Sequence, residues 1–161
     1  MAAEVRARLD AAGVEYEVLP CEPELADTAQ FCAHYGHDLA DSANTILVAG
    51  RVPDGERPPV AACVVLATSR LDVNNVVRRR LGVRKASFAS ADLTAELTGM
   101  LIGGVTAIAL PSDVPVWIDE AVLGRERVII GSGDRSSKIR LAPEALVTLG
   151  GEVVTALGKP A

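Results

Sequence analysis

The chain has 161 residues, which is enough for one domain with a full hydrophobic core, so we expect a single domain over residues 1–161. Hydrophobic residues make up 49% and aromatic residues only 3%, so aliphatic side chains must build that core. The net charge of −5 excludes a nucleic-acid binder that depends on overall positive charge, and no apolar run reaches the roughly 18 residues of a membrane span. The N-terminus lacks the apolar segment of a signal peptide, so we expect a cytoplasmic protein with no membrane partner.

Hydrophobic periodicity predicts helices and strands in mixed order. In chain order they are a helix over 3–12, a strand over 14–19, a helix over 27–35, strands over 45–49 and 60–67, a helix over 72–81, a strand over 85–89, a helix over 90–99, strands over 116–118, 128–131 and 137–141, a helix over 143–149 and a strand over 152–156. Asp27 and Gln30 have the spacing of a capping box, and Asp72 is placed to cap the third helix. The segment over 100–111 is apolar and is not expected to be a surface loop. Without strict alternation of strand and helix, this order favours an α+β fold around a mixed sheet.

One short stretch contains Cys32 and both histidines of the chain, His34 and His37, and therefore suggests a metal site or a nucleophile. On a helix, Cys32 and His34 point to different faces, and Gly36 is expected to end the helix before His37. The 3 cysteines form no CxxC pair, which indicates neither a zinc site nor a disulfide framework. We interpret the stretch as a helix with Phe31 and Cys32 facing the core and with solvated histidines, and we expect no metal.

Two groups of glycines adjoin predicted strands: Gly103 with Gly104, and Gly131 with Gly133 on either side of Ser132. The second group lacks the third glycine of a dinucleotide fingerprint, and no helix clearly follows it, so a phosphate loop is only weakly indicated. Most glycines after strands form plain turns. Beside a buried strand, however, missing side chains also let backbone N–H groups approach a ligand closely.

Charged residues suggest two further sites without identifying either. A run of basic residues lies at the end of the third predicted helix and just beyond it. Such a run can be a solvated face of the helix or a patch that contacts phosphates. It consists of Arg78, Arg79, Arg80, Arg84 and Lys85. Asp119 and Glu120 lie near the second glycine group in sequence, but their spacing alone does not identify an acid–base pair.

Four landmarks in order resemble the YbaK / prolyl-tRNA synthetase-associated editing-domain family. They are Asp27-Thr28-Ala29 followed by Gly36, Ala43 and the strand Asn44-Thr45-Ile46-Leu47-Val48; the segment 69–99; Gly103-Gly104-Val105; and VWIDEAVL (116–123) followed by 128–151. The resemblance covers nearly the whole chain from about residue 25. It implies one α+β domain with a mixed, barrel-like sheet surrounded by helices. It also implies hydrolysis of the ester in mischarged aminoacyl-tRNA, without a cofactor, metal or protein nucleophile.

The sequence departs from the family pattern at two positions. Asn44 stands where most members carry lysine before Thr-Leu-Val, and an asparagine amide is uncharged and shorter. Ala107 ends the loop over residues 103–107, called the glycine loop below, at a position where family members commonly carry a proline that stiffens it. The leading hypothesis is a deacylase that acts in trans on a small mischarged amino acid. The alternatives are a binding module that has lost catalysis and, third, a hydrolase of another small ester or amide.

The site residues that the resemblance implies fall into three groups. The catalytic group contains Asn44, Gly103 and Gly104. The substrate-binding group contains Thr28, Thr45, Val105, Thr106, Ala107, Asp119, Gly131, Ser132 and Gly133. The RNA-binding group contains Arg78, Arg79, Arg80, Arg84 and Lys85. The implied partners are the terminal adenosine and aminoacyl group of an aminoacyl-tRNA and, in addition, an aminoacyl-tRNA synthetase.

Overall fold

The computed structural model describes residues 1–161, and its strands form two main sheets and one short ribbon. The strands are β1 (Tyr16–Pro20), β2 (Ala43–Gly50), β3 (Val60–Leu66), β4 (Ser69–Leu71), β5 (Ala86–Phe88), β6 (Val116–Asp119), β7 (Val128–Gly131), β8 (Ser137–Leu141), β9 (Glu152–Val154) and β10 (Gly158–Pro160). The α-helices are α1 (Ala3–Ala12), α2 (Thr28–Tyr35), α3 (Arg78–Leu81), α4 (Ala91–Thr98), α5 (Glu120–Leu123) and α6 (Glu144–Thr148). The shorter turns are two 3-10 segments, Pro23–Leu25 and Leu39–Asp41, and one π-helical segment, Val73–Val77.

The larger sheet has the strand order β5-β2-β3-β6-β9 and is mixed. In it, β2 pairs antiparallel with β3 and β5, whereas β6 pairs parallel with β3 and β9. The smaller sheet, β1-β8-β7, is antiparallel, and a bridge between Ser42 and Ile129 connects the two sheets. β4 and β10 form a separate antiparallel ribbon. This architecture confirms the predicted α+β class and the barrel-like mixed sheet.

The core is built around β3, all of whose residues are buried. Its sequence, VAACVVL, is a continuous apolar run, as expected for a strand that is covered on both faces. The largest apolar cluster lies between the two main sheets, where side chains of β3 and β6 meet those of β7 and β8. Its members include Val5, Leu9, Val64, Ile118, Ile130 and Ile139. The aliphatic composition therefore builds the core as predicted.

The predicted boundaries agree with the structure to within about two residues, but three short elements, β4, α5 and β10, are not predicted. The helix predicted over 72–81 begins as a π-helical turn, in which the Val77 N–H donates to the Asp72 carbonyl. The Asp72 carboxylate caps this turn by accepting from the Asn75 N–H.

The capping box predicted at Asp27 is wrong, because the Asp27 side chain accepts no hydrogen bond from the helix backbone. Its carboxylate instead lies 3.6 Å from the Arg135 guanidinium, which competes for the same oxygens. The expectation for the segment over 100–111 is also only partly correct. Met100 and Ile108 are buried there, whereas Leu101 and Ile102 are exposed.

Candidate functional site

A cavity of about 290 Å³ opens at a gap along the edge of β2. β5 pairs with β2 only at Val48–Gly50, and β7 bridges to it at Ser42, so the part of the edge between them has no strand partner. The wall of the cavity comes from this edge, the start of α2, the glycine loop and the ends of β7 and β8. Backbone groups on an unpaired edge are available to a ligand. The gap therefore decides where the cavity lies.

Asn44 and Thr28 both line the cavity and contact each other. The Thr28 hydroxyl donates to Asn44 Oδ1 over 2.6 Å, which orients the amide group. The Asn44 NH₂ group makes no hydrogen bond within the protein and remains available as a donor. Thr45 lines the same wall, and its buried hydroxyl has no hydrogen-bond partner. Because that oxygen has almost no accessible surface, it does not face the open cavity in this conformation.

The two glycine groups pack directly against each other. The Gly133 N–H donates to the Gly104 carbonyl over 2.8 Å, and a Cβ at Gly104 would lie 2.7 Å from the Asp134 carbonyl. A Cβ at Gly131 would fall well inside van der Waals contact of the Val105 carbonyl oxygen. This close backbone contact is the physical reason for glycine at these positions.

The glycine loop also has free donors. The N–H groups of Gly103 and Val105 make no hydrogen bond within the protein, whereas that of Gly104 donates to the Leu101 carbonyl. The Gly104 N–H therefore cannot donate to a ligand, and the donors that the loop offers are the N–H groups of Gly103 and Val105. Gly103 has a φ of 91°, a conformation that favours glycine.

The cavity contains a lysine that sequence reasoning missed. Lys138, on β8, is only 6% exposed, and its Nζ donates to the Gly103 carbonyl over 2.7 Å. Burial is the main reason why the pKa of Lys138 lies below its ordinary value, and nearby Arg135 lowers it further. No carboxylate lies within ion-pair distance of this ammonium group. A buried cation whose partner is one carbonyl is energetically unfavourable unless a ligand completes its contacts.

The position of Lys138 follows from alternation along β8. Ile139 and Leu141 point into the core between the sheets, so Lys138 points to the opposite face. In sequence this pattern predicts a strand with one solvated face. The structure covers that face with α2, and the Lys138 ammonium lies 5.9 Å from the Phe31 ring centre. The sequence Ser137-Lys138-Ile139 therefore carries no signal that this lysine is buried.

Other residues that the resemblance implied lie outside the cavity wall. Asp119 is buried at the end of β6, on the far side of β3 from β2. Thr106 is buried and its hydroxyl has no partner, but it does not reach the cavity. The Ser132 hydroxyl donates to the Ser137 carbonyl over 2.8 Å and so holds the turn between β7 and β8. Ala107 packs against the core cluster between the sheets.

The basic run does not present a uniform charged face. Arg78 donates from Nε to the Asn74 carbonyl over 2.7 Å, and Arg80 stacks on Trp117 and pairs with Glu152. Three side chains of the run remain exposed and make no hydrogen bond or ion pair within the protein. They are Arg79, Arg84 and Lys85.

The stretch around Cys32 is a helix and a turn. Phe31 and Cys32 are buried and His34 is exposed, as predicted. His37 is half-buried rather than fully solvated, because its ring stacks on that of Phe31 at 5.3 Å. These side chains face different surroundings and do not form one site. None of the helices has the length and apolar character needed to cross a bilayer.

Comparison with known proteins agrees with this architecture. The model of the aminoacyl-tRNA editing domain family matches residues 22–149. The crystal structure of the hypothetical protein APE2540 is 26% identical, with a TM-score of 0.85 over 97% of this chain and 99% of the other. The crystal structure of a candidate trans-editing enzyme for prolyl-tRNA synthetase is 21% identical, with a TM-score of 0.78 over 96% and 97% of the two chains. At 21% identity, the similarity to this second structure supports a shared fold and nothing further.

Proposed function

Since the family match spans most of its length, the chain belongs to the aminoacyl-tRNA editing domain family, and we propose that it hydrolyses mischarged aminoacyl-tRNA in trans. The observation that carries this proposal is the Lys138 ammonium group, held in the cavity by the Gly103 carbonyl. Family members commonly carry a lysine on the strand of Asn44, so here the cation comes from a different strand of the same cavity.

The proposed reaction is attack of water on the ester carbonyl carbon. The bond to the terminal ribose oxygen breaks, the amino acid leaves with a new carboxyl group, and a water proton passes to the ribose oxygen. Lys138 and the Asn44 NH₂ group would donate to the carbonyl oxygen as negative charge develops there. The N–H groups of Gly103 and Val105 supply further donors. Neither histidine nor cysteine lines the cavity, whereas the Asp27 carboxylate does. We assign activation of the water to the neighbouring ribose hydroxyl of the substrate, because membership of the family implies that role for it.

The cavity also supports a small side chain on the substrate. Its volume of about 290 Å³ must hold the aminoacyl group together with part of the ribose. Aliphatic side chains, among them Leu47, Val105 and Ile130, form much of the wall. We therefore propose a small amino acid as the substrate, tRNA in the cytoplasm as its carrier, and a synthetase as the partner that holds the tRNA body.

Deacylation of a panel of mischarged tRNAs tests the proposal. We expect the wild type to cleave at least one small aminoacyl ester, and Lys138→Met and Asn44→Ala to slow that cleavage strongly. Arg140→Met is the matched control, because Arg140 lies two positions along on the same face of β8 and pairs with Glu17 outside the cavity. If the wild type cleaves no ester and Asn44→Lys creates cleavage, the alternative of a binding module is correct instead.

A further inference from the structure

Phe88 marks the mouth of the cavity. It is the only exposed aromatic side chain of the protein, with 62% of its surface accessible. It lines the cavity and also an adjoining groove formed by the β4–β10 ribbon, the π-helical turn and β5. A ligand that covers this ring would bury its apolar surface, which would contribute favourably to binding.

The groove next to Phe88 carries two cations in an unfavourable arrangement. Arg70 of β4 lies directly opposite Lys159 of β10, and both side chains line the groove. Like charges at directly opposite positions of an antiparallel pair destabilise it. Asp72 pairs with Lys159 at 2.8 Å and offsets one of the two charges. Arg70 is exposed and makes no ion pair or side-chain hydrogen bond, so one positive charge remains available.

We propose that this groove binds the single-stranded 3′ end of tRNA, with a base stacked on Phe88 and a backbone phosphate between Arg70 and Lys159. The inference rests on the proposed function, because it requires the terminal adenosine to enter the cavity. The two sites adjoin each other, because Phe88 lines both, so a nucleic-acid strand that leaves the cavity on this side passes over Phe88 into the groove. An aromatic platform beside cations is the usual way to hold single-stranded nucleic acid.

The groove differs in position from the basic run that the sequence indicated. Arg78 and Arg80 are engaged with the protein itself, and none of the five residues of that run lines the groove. In a chain of net charge −5, an RNA contact must depend on a local patch. The Arg70–Lys159 pair supplies that patch beside the cavity.

Binding of a short, fluorescein-labelled single-stranded RNA ending in CCA tests the inference without any hydrolysis. We expect Phe88→Leu to weaken binding about tenfold and Phe88→Trp to preserve it, because stacking requires an aromatic ring. We expect Arg70→Gln to weaken binding and to reduce the salt dependence by about 0.7 in slope, which corresponds to one lost phosphate contact. The matched control is Arg8→Gln on the exposed face of α1.

The outcomes separate this inference from the proposed function. Phe88→Leu and Arg70→Gln should both raise KM for aminoacyl-tRNA. Arg70→Gln should leave cleavage of 3′-O-aminoacyl-adenosine unaffected, since that substrate has no phosphate and Arg70 lies outside the cavity wall. RNA binding with the expected pattern, but without ester cleavage by the wild type, supports the groove and refutes the deacylase. Unchanged RNA binding in both variants overturns the groove, as does equal displacement of the RNA by pyrophosphate alone. Thermal melting checks that the variants fold, and we expect little change in Tm because both side chains are exposed.

Discussion

Replacing Lys138 with methionine removes the only cation that lines the cavity and keeps an unbranched side chain of similar reach. For folding, two effects oppose each other. The variant loses a charged hydrogen bond to the Gly103 carbonyl, of the order of 1.5–3 kcal/mol, but no longer buries an ammonium group at a cost of several kcal/mol. We therefore expect the free energy of unfolding to fall by no more than about 1 kcal/mol, or to rise.

For catalysis, no second effect offsets the loss of the Lys138 ammonium group. Loss of one preorganised donor to a developing oxyanion typically slows the chemical step about 10²–10³-fold, or roughly 3–4 kcal/mol. Urea unfolding and single-turnover deacylation of the best substrate measure the two quantities on one preparation. Full activity in Lys138→Met, or a loss of activity that only follows a loss of folded protein, would refute the role assigned to Lys138.

The pH dependence of stability gives a further check on this lysine. Burial lowers the pKa of Lys138 from its ordinary value of 10.5, so the folded protein releases this proton at a lower pH than the unfolded chain does. Between the two values the unfolded state binds more protons, and the free energy of unfolding must rise with pH. Relative to Lys138→Met, the wild type should therefore gain stability on approaching pH 10.5 from below. If the free energy of unfolding changes with pH in the same way in the wild type and in Lys138→Met, the lysine is not buried as the structure places it.

Two other predictions concern the glycine contact and a buried thiol. Gly131→Ala should lower the free energy of unfolding by about 1–3 kcal/mol and impair activity, because its Cβ would displace the Val105 carbonyl. Gly124→Ala is the control, since its Cβ comes no closer than 3.3 Å to another atom, and equal effects in urea unfolding would contradict the contact. Burial raises the pKa of Cys63 to about 12, so the wild type should lose stability above pH 9, where the unfolded thiol ionises first. Cys63→Ala should lose less stability over that range, and iodoacetamide labelling of Cys63 in the folded wild type would contradict its burial.

Local sequence patterns predicted most of the fold because the relevant interactions are short in range. The apolar run of β3 and the glycine that ends α2 each act within one element, and each appears as predicted. β4 and β10 were missed, because each has three residues and exists only through pairing with the other across most of the chain. The π-helical turn was also missed, because a turn of 5 residues within a longer helix leaves no separate pattern in the sequence.

For the site, the sequence by itself indicated the start of β2 and the two glycine groups, and residues from each of these segments line the cavity. The glycine groups stand out because close backbone approach requires a missing side chain, whereas Asn44 and Thr45 were indicated only by the family resemblance. Only the tertiary structure decided which charged groups reach the cavity. Lys138 is buried because α2 covers a face of β8 that its sequence marks as solvated, and Arg70 meets Lys159 through strand register. Charge placement depends on contacts between distant segments, and local periodicity does not encode those contacts.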